Sequence, residues 1–453
     1  MFRKFALIGI ICTASVAGAQ PVMTATSTSA DPLALAGFDP ENATAPQSVV
    51  TGAGVKVGDG TVLHPTFGLE TGVVSNVFYE QQAPQGAGVL RLMAQIGAAS
   101  LGQERLNPAS GGLGDENHHD TDNGDLQYEA DLRVAYDQML SSNETVRSTG
   151  GLGLGAVFRG MVKPMGTVSL GFSENYVRLI RASNFETSTD ATRDVNTLGL
   201  QLLIHPPGRS VSGYAYYGNT IDVFENSSLA YPNRIDHRIG VHPMWHWLPE
   251  TLIYGDVSLG IVSGIGSSAA SQAKASSLPL TAILGASTLL SLKTTLKVEA
   301  GYTRGFYSSG PDFSSPTVNA TLGYRYSPLG RVAVSYSLLY TDSINANYFR
   351  DHVIRLIVQQ GFAPFVVVVQ PELHFREYNG FNVPGVTAGT VRDDTIFAIV
   401  GGIHYNFRDS VAATLDYHFS TVQTNFRYMD VSGQTIDPSY VRHELLLGVR
   451  AAL

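Results

Sequence analysis

The chain has 453 residues, of which 44% are hydrophobic and only 15% are charged. Soluble domains usually carry charge on about a quarter of their residues. The formal net charge is −9 at pH 7, and this acidic balance argues against nucleic acid as a partner.

The first 19 residues have the layout of a secretory signal peptide. Arg3 and Lys4 precede an apolar run over residues 5–11, and small residues then predict cleavage before Gln20. The run is too short to span a bilayer as a helix. The only cysteine, Cys12, lies in this segment, so we expect an exported chain without disulfides and with a net charge of about −11 once the two basic residues are lost from −9.

Residues 20–53 are rich in Ala, Ser, Thr and Pro and show no two-residue periodicity. This composition predicts a flexible periplasmic segment. The segment is too short for the plug domain of an energy-coupled nutrient transporter, so we do not expect active uptake of that kind. Residues 54–453 remain for a single domain.

Alternation of apolar and polar residues dominates this domain. In LQYEADLRVAYDQ (126–138) and TLKVEAGYTRGFY (295–307), one alternate set is apolar and the other is polar. Successive side chains leave a strand on opposite faces, so each segment predicts a strand with one apolar face. No stretch after residue 19 has about 18 consecutive apolar residues, so no membrane-spanning helix is expected. Eighteen strands, each of about 10 residues, are predicted to begin near residues 61, 88, 125, 147, 166, 196, 209, 235, 251, 278, 294, 317, 331, 351, 366, 395, 410 and 441.

The connections and the aromatic residues add a second pattern. Short turns, such as residues 163–166 and 327–330, alternate with longer polar loops. Aromatic residues gather near both strand ends, where membrane barrels carry rings at the headgroup level. The proposed members are Trp245, Trp247, Tyr324, Tyr326, Tyr405 and Phe407 at the short-turn end, and Phe306, Tyr307 and Phe419 at the other. The alternative is a soluble sandwich with these rings in its core.

The fold prediction is all-β: a transmembrane antiparallel up-and-down β-barrel of about 18 strands. We expect it in the outer membrane of a Gram-negative bacterium, surrounded by outer-membrane lipid and inserted by the outer-membrane assembly machinery. The last segment, RHELLLGVRAAL, has the alternation of a C-terminal barrel strand. That machinery commonly recognises a final aromatic residue, whereas this chain ends in Leu453.

Residues 54–80, GVKVGDGTVLHPTFGLETGVVSNVFYE, resemble the opening of the putative β-barrel porin 2 family. The matching positions are Gly58, Pro65 and Asn76, and the resemblance in style extends over most of the chain. It implies an outer-membrane barrel, and several members of that family are associated with capsule or exopolysaccharide secretion. It implies no catalytic residues.

The resemblance therefore favours a channel that exports a polysaccharide together with a periplasmic polysaccharide export protein. A passive porin for small solutes and a structural or surface-interaction barrel with a filled lumen stay open as alternatives. Motifs of hydrolases, nucleotide-binding loops and zinc proteases are missing, so we expect no enzyme and no cofactor. The acidic run at 114–125 and the histidines of HPMWHW fit a solvated loop and a turn better than a metal site.

Charged residues on the polar faces are the candidates for lining the lumen, where they would set the local field and the solute preference. Alternatively, they pair with one another and only solubilise the wall. The candidates are Glu129, Asp131, Arg133, Lys297, Glu299, Arg355, Glu372, Arg376, Asp416, Glu444 and Arg450.

The connection at residues 104–124 is long and acidic. Counted back from the last strand, it falls at the end where the other turns are short, in the periplasm. Long irregular connections are often functional, and clustered acids attract a basic partner surface. We expect Asp115, Glu116, Asp120 and Asp122 to help dock a periplasmic export component. The alternative is a solvated extracellular loop, which an error in the early strand count would produce.

Overall fold

A computed structural model describes residues 52–58, 60–100, 125–164, 166–180, 192–206, 210–226, 232–266, 274–344, 346–381, 391–408, 410–429 and 435–453. The signal peptide and nearly all of the segment 20–53 lie outside these ranges, as does the connection at 104–124 with Asp115, Glu116, Asp120 and Asp122.

Eighteen long antiparallel strands form a sheet that closes on itself, because β1 pairs with both β2 and β18. A short strand, Val55–Val57, pairs with the start of β1, and Tyr428–Met429 pairs with Thr435–Ile436. None of the helices in the described ranges is long and apolar enough to cross a membrane. The barrel strands are β1 Thr61–Val74, β2 Ala87–Ser100, β3 Leu126–Leu140, β4 Gly151–Val162, β5 Val168–Leu179, β6 Arg193–Ile204, β7 Val211–Phe224, β8 Arg234–Leu248, β9 Thr251–Gly264, β10 Ser277–Ser291, β11 Thr294–Tyr307, β12 Phe313–Ser327, β13 Gly330–Asp342, β14 Tyr348–Phe362, β15 Phe365–Asn379, β16 Arg392–Arg408, β17 Val411–Thr424 and β18 Tyr440–Ala452.

The barrel of eighteen antiparallel strands confirms the fold prediction, and each strand begins within four residues of its predicted start. One of the largest differences is at β4, predicted near residue 147 and observed from Gly151. The residues before it form a helical turn, Glu144–Arg147, because the Asn143 side chain accepts a hydrogen bond from the Thr145 backbone N–H at 2.9 Å and caps the turn. The alternation of apolar and polar residues does not predict a capped helical turn of this kind, so it placed the strand start too early.

The apolar face of the strands points outward. On β18, Leu445, Leu447 and Val449 are 42–56% exposed, whereas Glu444 and Arg450 on either side of this set are no more than 4% exposed. A band of exposed aliphatic side chains around a closed barrel is the surface that lipid covers.

Two-residue connections at 249–250, 292–293, 328–329 and 363–364 lie at one end of the barrel. The start and the end of the described chain lie there too, since the Gly54 backbone N–H donates to the Leu453 carbonyl at 3.1 Å. In outer-membrane barrels the short turns are periplasmic. The connection between β2 and β3 begins and ends at this same end, because Ser100 and Leu126 are the strand ends that flank it. The docking role of its acidic residues stays a prediction.

The aromatic residues near the short turns, Trp245, Trp247, Tyr324, Tyr326 and Phe407, are exposed on the outer face. The assignment of Tyr307 to the opposite girdle is wrong. In the sheet Tyr307 is the partner of Ser277, whose side chain is buried inside the barrel. The Tyr307 hydroxyl forms a hydrogen bond with the Tyr340 hydroxyl and donates to the Asn347 carbonyl at 2.9 Å. A position at the end of a strand does not say on which face the ring lies.

At the extracellular end the helical turn after β3 fills part of the interior. Val146 is completely buried and packs with Val74, Val89, Met139 and Leu446. These residues lie on the inward faces of neighbouring strands, so this apolar cluster fixes the turn against the inner wall.

Candidate functional site in the barrel lumen

The structure places the eleven predicted lumen residues on the inward faces of their strands. On β3, for example, Glu129, Asp131 and Arg133 alternate with the exposed side chains of Leu126 and Leu132. The lumen is therefore the candidate functional site. Its chemistry depends on how these charges are paired.

Ion pairs join four neighbouring strands where the barrel closes. Arg450 on β18 contacts Glu70 on β1, with Nη2 and Oε1 2.5 Å apart. The other oxygen of Glu70 lies 3.3 Å from Nη1 of Arg91 on β2. Arg91 then donates to both carboxylate oxygens of Asp137 on β3, at 2.6 and 2.9 Å. Gly448 leaves room for this chain, because a Cβ there would lie 2.6 Å from Cγ of Glu70.

A second network lies on β14 and β15. Arg355 donates to Glu372 at 2.6 Å, and Nε2 of His374 lies 3.3 Å from the other oxygen of Glu372. Nδ1 of His374 lies 3.0 Å from Asp351, whose carboxylate also accepts from Arg376 at 2.8 Å. The guanidinium of Arg376 stacks 4.1 Å from the ring centre of Phe349. Five side chains of this network are charged or imidazole groups that satisfy one another, which gives the wall a rigid, dipolar surface.

Most of the other predicted residues are also paired. Asp131 contacts Arg133 at 2.8 Å, and Lys297 contacts Glu299 at 3.0 Å. Asp416 lies 3.3 Å from His404, and Glu444 lies 2.6 Å from Arg442. Glu129 also makes an interaction, so none of the eleven is a free charge. The lumen wall thus carries alternating positive and negative groups rather than a field of one sign.

The connection between β13 and β14 is the most unusual part of the lumen. We call residues 342–344, 346 and 347 the hairpin tip. These residues are at most 5% exposed. This is unusual, because connections between strands generally lie on the surface and face water. Asp342 contacts Arg234 of β8 at 2.6 Å and Lys274 at 3.4 Å. The Lys274 ammonium also donates to the carbonyls of Ser343 and Ala346 at 2.6 and 2.7 Å.

This contact crosses the lumen. β13 lies five strands from β8 in the sheet order, which is about 24 Å along the wall at the usual strand spacing. The pairing of β13 with β12 ends at Leu338, so the last residues of β13 are released from that neighbour. The tip therefore leans inward over the extracellular mouth until Asp342 reaches Arg234.

Two glycines make room for the tip. Gly310 and Gly380 have φ angles of +79° and +76°, which side chains rarely tolerate. A Cβ at either position would lie 2.7–2.8 Å from the Asn347 side chain. The Asn347 amide in turn donates to the Ser309 carbonyl at 2.8 Å. The tip is thus held by neighbours on both sides as well as from across the lumen.

One ion pair lies at the extracellular rim, between Arg178 near the end of β5 and Glu225 just after β7. Glu225 accepts hydrogen bonds from Arg178 at 2.5 and 2.9 Å, and these bonds lower the pKa of the Glu225 carboxyl. Both groups are partly exposed to water, which limits what the pair contributes to stability.

The structure changes the interpretation of two histidines. His242 and His246, predicted at a turn, lie inside β8 because the strand continues through Pro243. His242 is buried and contacts Asp256 at 3.2 Å. In the part of the chain that the structure describes, no group of three or more His, Cys, Asp or Glu residues could hold a metal ion.

Sequence reasoning missed the partners on the inward face. Glu70, Arg91, Asp137 and Asp351 all lie at alternate positions of predicted strands, so extending the two-residue period along each strand would have found them. Asp342 could not have been found in this way. Its role depends on a strand end that leaves the wall, and alternation says nothing about that.

The three residues that carry the family resemblance have structural roles. Gly58 has a φ of +63°, where glycine is favoured, and Pro65 lies within β1. The Asn76 side chain donates to the carbonyls of Glu80 and Val441 at 2.7 and 3.1 Å, which fastens the first extracellular connection to β18.

The fold and the charged lumen define a closed outer-membrane-type barrel. No family model matches the sequence, and no curated protein sequence matches it. The resemblance to the putative β-barrel porin 2 family is therefore supported only as far as a porin-like barrel.

Several solved porins have a similar architecture. A BenF-like porin from Pseudomonas fluorescens Pf-5 has a TM-score of 0.47 and 12% identity, covering 87% of this chain and 99% of that one. Acinetobacter baumannii OccAB4 has a TM-score of 0.45 and 11% identity, with 86% and 98% covered. Pseudomonas aeruginosa OpdK, solved with vanillate, has a TM-score of 0.45 and 9% identity, with 86% and 99% covered. At these values the likeness carries no information on which solute passes.

Proposed function

We propose that the protein is a passive channel for small polar solutes in the outer membrane. The observation that carries this proposal is a closed barrel of eighteen strands whose inward face is polar and whose outward face is apolar. Barrels of this strand number are wide enough for an aqueous interior. A wall of paired charges and hydroxyl groups favours hydrated solutes over apolar ones.

The hairpin tip supports a limit on solute size. Its contacts with Arg234 and Lys274 hold a segment of backbone across the extracellular mouth. A solute must pass beside this segment, so permeability should fall steeply with molecular size.

Polysaccharide export is less well supported than passive diffusion. That prediction rests on the resemblance of residues 54–80, and the comparisons lend it no support. A hydrated polymer also needs a wide path along the whole lumen, whereas the tip narrows the extracellular end. The passive channel is therefore the function that the lumen supports better.

The second candidate, a barrel with a filled lumen, is favoured by one specific observation. In the described ranges, Glu70, Arg450, Asp351 and Arg376 are no more than 2% exposed. Side chains this inaccessible are in contact with protein rather than with a wide column of water. In a purely structural barrel, inward-facing side chains all around the wall would be buried against protein in this way.

Reconstitution of the full-length protein decides among these functions. Passive diffusion predicts steady conductance in planar bilayers, and liposome swelling rates that fall as neutral sugars grow from mono- to trisaccharides. A filled barrel predicts no conductance and no swelling. Export predicts loss of surface glycan when the gene is deleted, whereas a passive channel predicts unchanged glycan. Silent bilayers would reject the proposed function.

A further inference from the structure

Three tyrosine–histidine pairs lie on the outer surface of the barrel. The tyrosine hydroxyl lies 2.8–2.9 Å from Nδ1 of the histidine in each pair. The ring centres are 6.2 Å apart in all three. Each pair joins two neighbouring strands. We call this set the Tyr–His belt: Tyr217–His237 on β7 and β8, Tyr336–His352 on β13 and β14, and Tyr417–His443 on β17 and β18.

The belt residues face outward. His237 alternates along β8 with the buried Arg234, Asp236 and His242, and it precedes the exposed Ile239 and Val241. His443 alternates with the buried Arg442 and Glu444 and is itself exposed. Their rings therefore lie on the side of the wall that carries the aliphatic band.

The three pairs lie at one level. His237 and His443 are three residues from the extracellular ends of their strands, Arg234 and Tyr440, and His352 is four residues from Tyr348. Exposed apolar side chains follow each histidine toward the periplasm, beginning with Ile239, Ile354 and Leu445. The belt thus marks the upper edge of the apolar band, where the hydrocarbon of the outer leaflet meets its headgroups.

We assign each belt histidine the tautomer in which Nδ1 accepts from the tyrosine hydroxyl. At His237 the Asn219 side-chain amide, which can only donate, also lies 3.2 Å from Nδ1. A neutral imidazole whose Nδ1 accepts from a phenol carries its proton on Nε2. Among the described residues, Nε2 of the three belt histidines has no hydrogen-bond partner. The belt therefore presents three N–H donors at one depth around the barrel.

A cation lies at the same level. Arg304 is exposed on the outer face of β11, three residues from the strand end Tyr307. In the part of the chain that the structure describes, its guanidinium has one contact, the ring of Phe306 at 4.6 Å, and no carboxylate partner. An unpaired guanidinium between β8 and β14 adds positive charge to the ring of donors.

We propose that the Tyr–His belt, with Arg304, binds the phosphate groups of the outer-leaflet glycolipid. Phosphate oxygens accept charge-assisted hydrogen bonds from N–H groups, and a guanidinium matches their geometry. The headgroup region of that leaflet is the phosphate-bearing layer that meets the barrel at this depth. The proposal does not depend on which solute passes through the lumen.

Competition between two lipids tests the proposal. The purified full-length barrel in detergent is mixed with equal amounts of bisphosphorylated lipid A and its dephosphorylated form, and the bound lipids are counted by native mass spectrometry. Wild type should prefer the phosphorylated form by about fivefold, the ratio for a net hydrogen-bond contribution near 1 kcal/mol. The triple variant His237→Phe/His352→Phe/His443→Phe should have a clearly lower preference, and adding Arg304→Gln to it should make the binding of the two forms equal.

Two further variants separate recognition from general damage. The corresponding triple change to Gln keeps an N–H donor near the position of Nε2 and should restore most of the preference. The triple change Tyr324→Phe/Tyr326→Phe/Tyr405→Phe removes three hydroxyls at the periplasmic girdle and should leave the preference unchanged. If the Phe variant fails to show the gel mobility of a folded barrel, Tyr217→Phe/Tyr336→Phe/Tyr417→Phe replaces it and should lower the preference. Equal binding of both lipids by wild type, or an unchanged preference in a folded belt variant, would overturn the proposal.

Discussion

Two parts of the lumen wall are both polar, but one is lined by charged side chains and the other mainly by hydroxyl groups. The charged arc, formed by β14–β18 and β1–β3, carries acidic and basic side chains on its inward face. The hydroxyl arc, formed by β10–β13, carries mainly Ser and Thr in its middle, where Lys297–Glu299 is an ion pair. Its other charges lie near the two ends of β13, at Arg331 and Asp342. Examples are Thr281 and Thr303, whose hydroxyls lie 3.1 Å apart, and Ser337, which donates to Asn319 at 3.3 Å.

The difference lies in how each arc depends on its partners. A buried charge that loses its partner is strongly destabilising, because its desolvation is no longer offset. A hydroxyl can rotate, donate and accept, so it finds a substitute partner at low cost. The charged arc should therefore be rigid and intolerant of substitution, and the hydroxyl arc should tolerate substitution and present a neutral surface to solutes.

The strongest test breaks the charged arc at its centre. Glu70→Gln would leave Arg91 and Arg450 without a shared carboxylate, and should lower the free energy of unfolding by about 3–5 kcal/mol. Urea unfolding in lipid vesicles, followed by tryptophan fluorescence, measures this loss. Glu299→Gln in the hydroxyl arc is the matched control, and its cost should be less than half as large. Equal losses would contradict the contrast between the arcs.

The next test addresses the hairpin tip, which joins the charged β14 to the region of β8 and β11. Asp342→Asn removes the charge that faces Arg234 and Lys274, and should weaken the attachment of the tip by about 2 kcal/mol. We expect higher single-channel conductance and faster swelling with larger sugars. Asp437→Asn, which breaks an exposed loop pair with Arg427, should leave both readouts unchanged. Conductance equal to wild type in the Asp342 variant would show that solutes do not pass near the tip.

A milder test examines the hydroxyl arc itself. Thr303→Val leaves the Thr281 hydroxyl without its partner and should cost about 1 kcal/mol of unfolding free energy. The double variant Thr281→Val/Thr303→Val removes both polar groups and should be nearly neutral, because replacing both partners avoids an unpaired group. Unfolding midpoints of the two variants, compared with wild type, decide this. A double variant worse than the single would show that the pair also contacts something essential.

The smallest expected effect is a pH dependence at the rim, outside both arcs. The Arg178 hydrogen bonds lower the pKa of Glu225 in the folded state from 4.5. A lowered folded pKa contributes stability above the unfolded pKa, and that contribution is lost as the pH falls through the folded value. Wild type should therefore exceed Glu225→Gln slightly in resistance to proteolysis at neutral pH, and the two should converge as the pH falls through the lowered folded pKa of Glu225. A difference that grows on acidification would contradict this assignment.

Sequence reasoning reached the barrel because of a short-range physical rule. Side chains of a strand alternate between faces, so residues 126–138 and 295–307 reveal their lipid and lumen faces without any knowledge of their neighbours. The same rule placed Asp131, Arg133, Glu299 and Arg450 on the inward face. It could not pair Arg450 with Glu70, because these two residues lie on the last and the first strand, 380 positions apart in the chain.

The sequence by itself therefore determined the strand number, the outward apolar band and the set of inward charges. Only the tertiary structure decided that Glu70 bridges Arg91 and Arg450, that Asp342 reaches Arg234 across the mouth, and that three histidines lie at one level outside. The physical reason is that the first set of features depends on local backbone geometry, whereas the second depends on contacts between residues far apart in the chain. Alternation depends on the backbone of one strand, whereas register, closure and an inward bend depend on which strands meet and where their pairing ends.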